Sequence, residues 1–403
     1  VPAGFDGTKS SCNGYCAEAQ NPYKSKPAWV RFVSVTNPQL SPNFYAVIPA
    51  GGVGSRLWPI SQPEHPKFLH DLTGAGRSLL QQTFERLAEF LPNDRILVVT
   101  GEAHGAAVAA QLPNLQGSRL LLEPSPKDST AAIALAAAVL VRENANAVIG
   151  SFAADHLIGD QSAFAAAVAQ AVSVAETGLV VTIGITPTHA STAFGYIQAG
   201  PALAGFETAR AVTAFVEKPD ANRASEFLAT GEYFWNAGMF VVRASVLLEL
   251  LSQTEPELVK TVGQLAEVWH TDARAEALST LWPALPKVAI DYSLAEPAAA
   301  RGLVAVVPAT FAWRDLGDWA AVSEELGEPE RLTVIGSAEV AAIDSTGFVL
   351  STQNRPISVV GLEDVVVIDT EHGLLVTTKA SAQGVKAASE HFSKANADHK
   401  QAE

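Results

Sequence analysis

The residues best suited to chemistry lie in Ala50-Gly51-Gly52-Val53-Gly54-Ser55-Arg56-Leu57-Trp58-Pro59, with Pro66-Lys67 downstream. They follow a short apolar run, Phe44 to Ile48, that reads as a buried strand. A strand opening into three glycines lets backbone N–H groups close on a phosphate. Gly51, Gly52, Gly54 and Ser55 form the expected cradle, with Arg56 and Lys67 supplying positive charge at the β- and γ-phosphates. Two common nucleotide loops do not fit. Leu57 stands where the third glycine of G-x-G-x-x-G belongs, and no lysine follows Gly54 at Walker spacing. Glycines alone would equally suit a plain strand-to-helix turn; the R-L-W-P continuation and Lys67 carry the nucleotide reading.

Further along, carboxylates suggest a metal. Asp155 follows the apolar run Val148–Ala154 and precedes His156. At the carboxyl end of a strand it suits Mg²⁺, though a turn or cap aspartate reads the same way. Mg²⁺ is typically held by one or two carboxylates plus substrate phosphates, so a partner is expected. Asp315 in Trp313-Arg314-Asp315-Leu316-Gly317-Asp318-Trp319 is the candidate, and Asp291 in Ile290-Asp291-Tyr292 competes with it. Asp318 is expected to cap a helix starting at Trp319. Glu217-Lys218-Pro219 offers a carboxylate for sugar hydroxyls and a lysine for a sugar phosphate. Asn236, inside the apolar run Phe234–Phe240, needs partners if buried, and a sugar hydroxyl is one; a turn feeding a strand is the plainer alternative.

These residues need a scaffold. Strand-like runs at Tyr45–Ala50, Arg95–Thr100, Arg119–Leu122, Ala147–Phe152 and Gly178–Gly184 alternate with helical stretches at Ser78–Phe90, Ala103–Gln111, Thr130–Glu143 and Gln161–Glu176. Such alternation predicts an α/β fold with a mostly parallel sheet and helices on both sides. Ligands then bind beyond the carboxyl ends of strands, where Gly51–Arg56 and Asp155 both fall. From Ile185 to Val307 the pattern is mixed, with strands at Tyr196–Ala199, Val212–Val216 and Met239–Val242 and helices near Ala221–Ala229 and Ser245–Leu251. This stretch reads as the half that holds a second substrate. Thr333 to Lys379 is rich in Val, Ile and Thr, punctuated by Gly336, Gly347, Gly361 and Gly373, and predicts a small β appendage. The irregular glycine spacing leaves a β-helix open. The expected organisation is an extension over 1–43, a catalytic domain over 44–325, and a β-rich segment with its tail over 326–403.

The chain of 403 residues is 48% apolar and 17% charged, with a net charge of −15. That is a globular composition, and the acidity argues against nucleic acid or an anionic membrane as partner. A few basic side chains still build an anion site inside an acidic protein. Cys12 and Cys16 form a C-x-x-x-C pair without a second pair, better read as free thiols in a cytoplasmic protein than as a zinc site. The Ala-rich run Ala131–Val141 is too short to span a bilayer and reads as a buried helix. Residues 1–43 lack a signal-peptide pattern.

The order of the motifs is more specific than any one of them. The Gly51–Pro59 and Pro66-Lys67 motifs come first, then Glu123-Pro124 with Thr130-Ala131, and Asp155-His156. Phe194-Gly195-Tyr196-Ile197, Phe215–Pro219, Trp235–Phe240, Ile290–Tyr292 and Trp313–Trp319 follow in that order. Over residues 44 to 325 the series resembles the sugar-phosphate nucleotidyltransferases, and within them the mannose-1-phosphate guanylyltransferases. The resemblance implies a Rossmann-like nucleotidyltransferase fold, GTP and mannose 1-phosphate as substrates, and Mg²⁺. It implies that Arg56, Lys67 and Lys218 serve catalysis, with Arg56 and Lys67 on the triphosphate. Asp155 and Asp315 would be the metal pair, Glu217 and Asn236 would hold the sugar, Lys218 its phosphate, and Gly195 would admit the hexose closely. Uridylyl or thymidylyl transfer is the alternative chemistry, and a non-catalytic sugar-nucleotide sensor the alternative class. Two departures bear on substrate preference. Pro66-Lys67-Phe68-Leu69 lacks the family's Gln after Lys, and Thr192-Ala193-Phe194-Gly195-Tyr196-Ile197 has lost one glycine and one hydroxyl. Longer relatives append an isomerase barrel, which this chain is too short to hold, so isomerase activity is not expected. The sequence leaves self-association into a homo-oligomer open.

Overall fold

The computed structural model describes residues 40–328 and 330–392. Cys12, Cys16 and all but the last four residues of the expected extension lie outside the described residues.

Eleven strands precede the C-terminal region. They are β1 Phe44–Ala50, β2 Ile96–Gly101, β3 Leu120–Glu123, β4 Val148–Ser151, β5 His156–Ile158, β6 Val180–Ile185, β7 Tyr196–Ala202, β8 Arg210–Val216, β9 Tyr233–Arg243, β10 Val304–Pro308 and β11 Trp313–Asp315. Nine of them form one sheet in the order β3-β2-β1-β4-β9-β6-β10-β8-β7. The half β3-β2-β1-β4 is parallel, whereas β9 runs antiparallel to β4, β6 and β7. The parallel strands are near-continuous apolar runs because helices cover both their faces. Helices Leu79–Ala88 and Gln161–Ala175 pack on one face, and Asp128–Glu143, Ala244–Thr254 and Pro256–Val268 on the other. The Ala-rich helix is buried from Thr130 to Leu140, as its composition predicts. The fold is the expected α/β arrangement with helices on both faces, and its sheet is mixed.

Ser78 starts its helix through a capping box: its hydroxyl accepts from Gln81 N at 3.1 Å, and Gln81 Oε1 accepts from Ser78 N at 3.0 Å. The strand around Asn236 is longer than Met239–Val242, because the apolar residues from Tyr233 onward pair with β6 and β7 across a register shift. Antiparallel β5 and β11 form a separate two-stranded ribbon that sets Asp315 opposite His156.

The C-terminal region has strands β12 Leu332–Gly336, β13 Val340–Ile343, β14 Gly347–Ser351, β15 Ile357–Val360, β16 Val365–Thr370 and β17 Gly373–Thr378. β12, β14 and β16 stack in parallel, β13 and β15 do the same on a second face, and β17 closes antiparallel on β16. This is a short β-helix. Its rungs differ in length, since Leu332 lies beside Gly347 and Gly347 beside Val365, so the glycines are unevenly spaced in sequence. Residues 385–392 are helical.

Candidate active site

After β1 the chain turns through Gly52 and Gly54, both left-handed at φ 80° and 75°. Lys67 returns to this turn, donating its backbone N–H to Val53 O at 3.2 Å. Its aliphatic stem crosses Gly54, where a Cβ would stand 2.8 Å from Lys67 Cγ. Glycine is therefore required there for both conformation and space. The Lys67 ammonium lies 2.5 Å from Asp155 Oδ2 and 3.7 Å from Asp315 Oδ1. Its side chain is only 12% exposed, so it is not a solvated turn lysine. Burial pulls the Lys67 pKa down, but the two aspartates outweigh it and hold the ammonium above its ordinary value. Burial would raise Asp155, yet Lys67 and then His156 hold it below the usual carboxylate range.

Asp155 and Asp315 meet because of the β5–β11 ribbon. His156 joins them: one donor atom from each of Asp155, His156 and Asp315 lies within 4.8 Å of the others. His156 is adjacent in sequence but carries no role of its own there; its burial lowers its pKa and favours the neutral ring. Asp315 Oδ1 is buried without a hydrogen-bond partner among the described residues. Two hard carboxylates facing one cationic position fit a divalent ion such as Mg²⁺, with Lys67 supplying the charge between them. Behind this ribbon the buried Arg86 donates to His156 O at 3.3 Å. Arg56 stands apart from Lys67: it is exposed in the turn Ser55–Leu57 and forms no ion pair among the described residues.

A second cluster forms beyond β8. Lys218, left-handed at φ 44°, places its ammonium 2.5 Å from Glu217 Oε1. Burial lowers the Lys218 pKa, but the Glu217 contact more than reverses this. Glu217 Oε2 is buried without a hydrogen-bond partner among the described residues, and a Cβ at Gly195 would collide with it. Gly195 O accepts the Asn236 N–H at 2.8 Å, so Gly195, Glu217 and Asn236 are neighbours, as the sequence reading groups them. Asn236 is inside a strand rather than a turn. Its Oδ1 accepts from Thr182 Oγ1 at 3.0 Å and Gly238 N at 3.1 Å, and its Nδ2 donates to Asp291 Oδ1 at 2.7 Å. One amide hydrogen remains for a ligand. Asp291 thus sits with this cluster and not with Asp155. It opens a π-helical turn, Asp291–Ala295, and burial followed by Glu217 pushes its pKa up to about 6.

One further residue emerges from the sheet. Glu123 ends β3 level with Gly101 of β2, while Thr100 is level with Ala50 of β1. It therefore stands two strands from the glycine turn, roughly 10 Å away along the same carboxyl edge. It is buried, its Oε1 has no hydrogen-bond partner among the described residues, and burial followed by Asp128 pushes its pKa up to about 7. Its sequence signal is a glutamate and proline terminating an apolar run, which assigns no role.

No helix among the described residues is long and apolar enough to cross a membrane. Residues 45–328 match the Nucleotidyl transferase family model, and residues 338–390 match the MannoseP isomerase/GMP-like beta-helix domain. A putative mannose-1-phosphate guanylyltransferase of Vibrio cholerae is 36% identical, over 88% of this chain and 75% of that protein. The mannose-1-phosphate guanylyltransferase RfbM of Salmonella typhimurium is 35% identical, over 85% and 71%. The xanthan biosynthesis protein XanB of Xanthomonas campestris is 38% identical, over 84% and 71%. Among solved structures, a protein described as a mannose-1-phosphate geranyltransferase from Thermus thermophilus superposes with a TM-score of 0.77 at 31% identity, over 87% of this chain and 99% of that one. The chain therefore belongs to the nucleotidyl transferase family, in company with curated mannose-1-phosphate guanylyltransferases.

Proposed function

We propose that this protein transfers a guanylyl group from GTP to mannose 1-phosphate, forming GDP-mannose and pyrophosphate. The observation that supports the reading is the meeting of Asp155 and Asp315 at Lys67, whose stem crosses the glycine turn at Gly54. The relatives' names supply the substrates.

In this reading a phosphate oxygen of mannose 1-phosphate attacks the α-phosphorus, and the bond to the β-phosphate oxygen breaks with its electron pair leaving on pyrophosphate. The attacking oxygen is already anionic, so no covalent enzyme adduct is needed. The protein's work is to hold two repelling phosphorylated molecules in line, an effect worth roughly 7–11 kcal/mol in favourable cases. Backbone N–H groups of Gly51–Ser55 and the side chain of Arg56 hold the triphosphate. Lys67 offsets charge on the triphosphate. Glu217 and the free amide hydrogen of Asn236 orient sugar hydroxyls, and Lys218 holds the sugar phosphate. Asp155 and Asp315 would hold Mg²⁺, which when bound neutralises phosphate charge. Glu123 accepts from guanine N1–H and N2–H, a pair of adjacent donors that adenine and the pyrimidines do not offer.

A panel of GTP, ATP, UTP and dTTP against mannose 1-phosphate and glucose 1-phosphate, scored by pyrophosphate release and product mass, tests this. GTP with mannose 1-phosphate should lead the panel. UTP or dTTP with glucose 1-phosphate leading would move the protein to another branch, and binding of GDP-mannose without turnover would make it a sensor.

A further inference from the structure

We propose that the C-terminal β-helix and the helix after it brace the nucleotide side of the active site, with Gln383 and Phe392 as positioning residues; the proposal rests on the nucleotidyl-transfer reading above. Trp58 follows Arg56 by two residues. Its indole stacks on Phe392 with ring centroids 4.9 Å apart and planes 12° from parallel. Gly373, at the start of β17, lies so near that a Cβ would stand 2.8 Å from Trp58 Cζ2. The Trp58 carbonyl accepts from Trp319 Nε1 at 2.9 Å. Trp319 is fully buried and opens the helix Trp319–Leu326, four residues after Asp315. Asp318 caps that helix, its Oδ1 accepting from Ala321 N at 2.9 Å, while its Oδ2 accepts from Gln383 Nε2.

The C-terminal region thus touches two loops of the site. Phe392 and Gly373 touch the loop carrying Arg56, and Gln383 touches the loop carrying Asp315. One apolar cluster fills the space between, joining Leu57, Leu316 and Trp319 to Phe348, Ile368 and Leu375. Phe392 and Gln383 can act on a nucleotide through these loops, by fixing backbone that would otherwise be ordered at the moment of binding.

The test uses the full chain, with calorimetric titration by Mg-GTP beside pyrophosphate release. Phe392→Ala should weaken Mg-GTP binding about three- to tenfold, the size of a lost aromatic stack. The KM for mannose 1-phosphate should stay within about twofold, and Phe392→Trp should restore Mg-GTP affinity. Gln383→Ala should weaken Mg-GTP in the same direction, and it decides the matter if Phe392→Ala fails to fold. Wild-type Mg-GTP affinity in the variants overturns the brace, as does equal weakening toward both substrates without rescue by Trp. If the wild type itself binds no Mg-GTP, the brace and the nucleotide reading fall together; if it binds and the variants do not differ, the brace falls alone.

Discussion

Lys67→Met removes the one ammonium that stands between two aspartates while keeping most of the stem that crosses Gly54. Two unit charges about 4 Å apart, at an effective dielectric of about 20, interact by roughly 4 kcal/mol, and desolvation offsets part of that. Breaking one partner of a buried pair usually costs about 3–5 kcal/mol, because a charge is left uncompensated. Over ~350 ordered residues the unfolding entropy is about 0.7 kcal/mol per degree, so melting should fall by roughly 4–7 °C in EDTA. Added Mg²⁺ should stabilise the variant more than the wild type, since it no longer competes with an ammonium for the same carboxylates. The pH dependence has a definite sign. Asp155 is held below its ordinary pKa when folded, so its contribution is present above about pH 4 and is lost as pH falls through the folded value. The melting gap between wild type and variant should therefore be full at neutral pH and close in acid. Scanning calorimetry from pH 3 to 8, with EDTA or Mg²⁺, measures all three effects. Melting within about 1 °C of wild type in EDTA, or an Mg²⁺ shift no larger than the wild type's, would refute the reasoning.

Four further outcomes follow from the site. Glu123→Gln should lower discrimination between GTP and ITP, which lacks the N2 amine, by tenfold or more on the scale of about 1–3 kcal/mol for a buried partner left unmatched; an unchanged ratio of kcat/KM values removes the base-reading role. Because Glu123 is raised to about 7, its buried charge weighs on the folded state above that pH and is relieved below it, so Glu123→Gln should gain more melting temperature at pH 8 than at pH 5.5; equal gains would show that the carboxylate is not buried as described. Gly54→Ala should cost at least about 1–2 kcal/mol and most of the activity, since a methyl would meet the Lys67 stem on a left-handed backbone; a stable, active variant contradicts the crossing. Lys218→Ala should raise the KM for mannose 1-phosphate with that for GTP little changed, read by initial rates, and equal effects on both would deny it the sugar phosphate.

Much of the site is legible because its residues close apolar runs. Strand composition puts the Gly51–Ser55 turn and Asp155 at the carboxyl edge, and motif order pairs Asp155 with Asp315. What sequence cannot supply is the ribbon that joins them. β5 and β11 are three residues each, too short for periodicity to register, and it is their pairing that draws His156 into the group. Asp291 competes for the metal on residue type alone; its placement depends on a π-helical turn and on Asn236, neither of which has a local signature. The charge of Lys67 is visible in the sequence, while its burial beside two aspartates is not. The β-helix stays open at the level of sequence since its rungs differ in length, and repeats of unequal period hide their stacking.

The central claim is that Asp155 and Asp315 hold one divalent ion under the nucleotide. It is tested most directly by titrating Mn²⁺, followed by electron paramagnetic resonance, into wild type, Asp155→Asn and Asp315→Asn with GTP present. A single tight site in the wild type that weakens at least about tenfold in each variant is the predicted result, and wild-type Mn²⁺ affinity in either variant would contradict it.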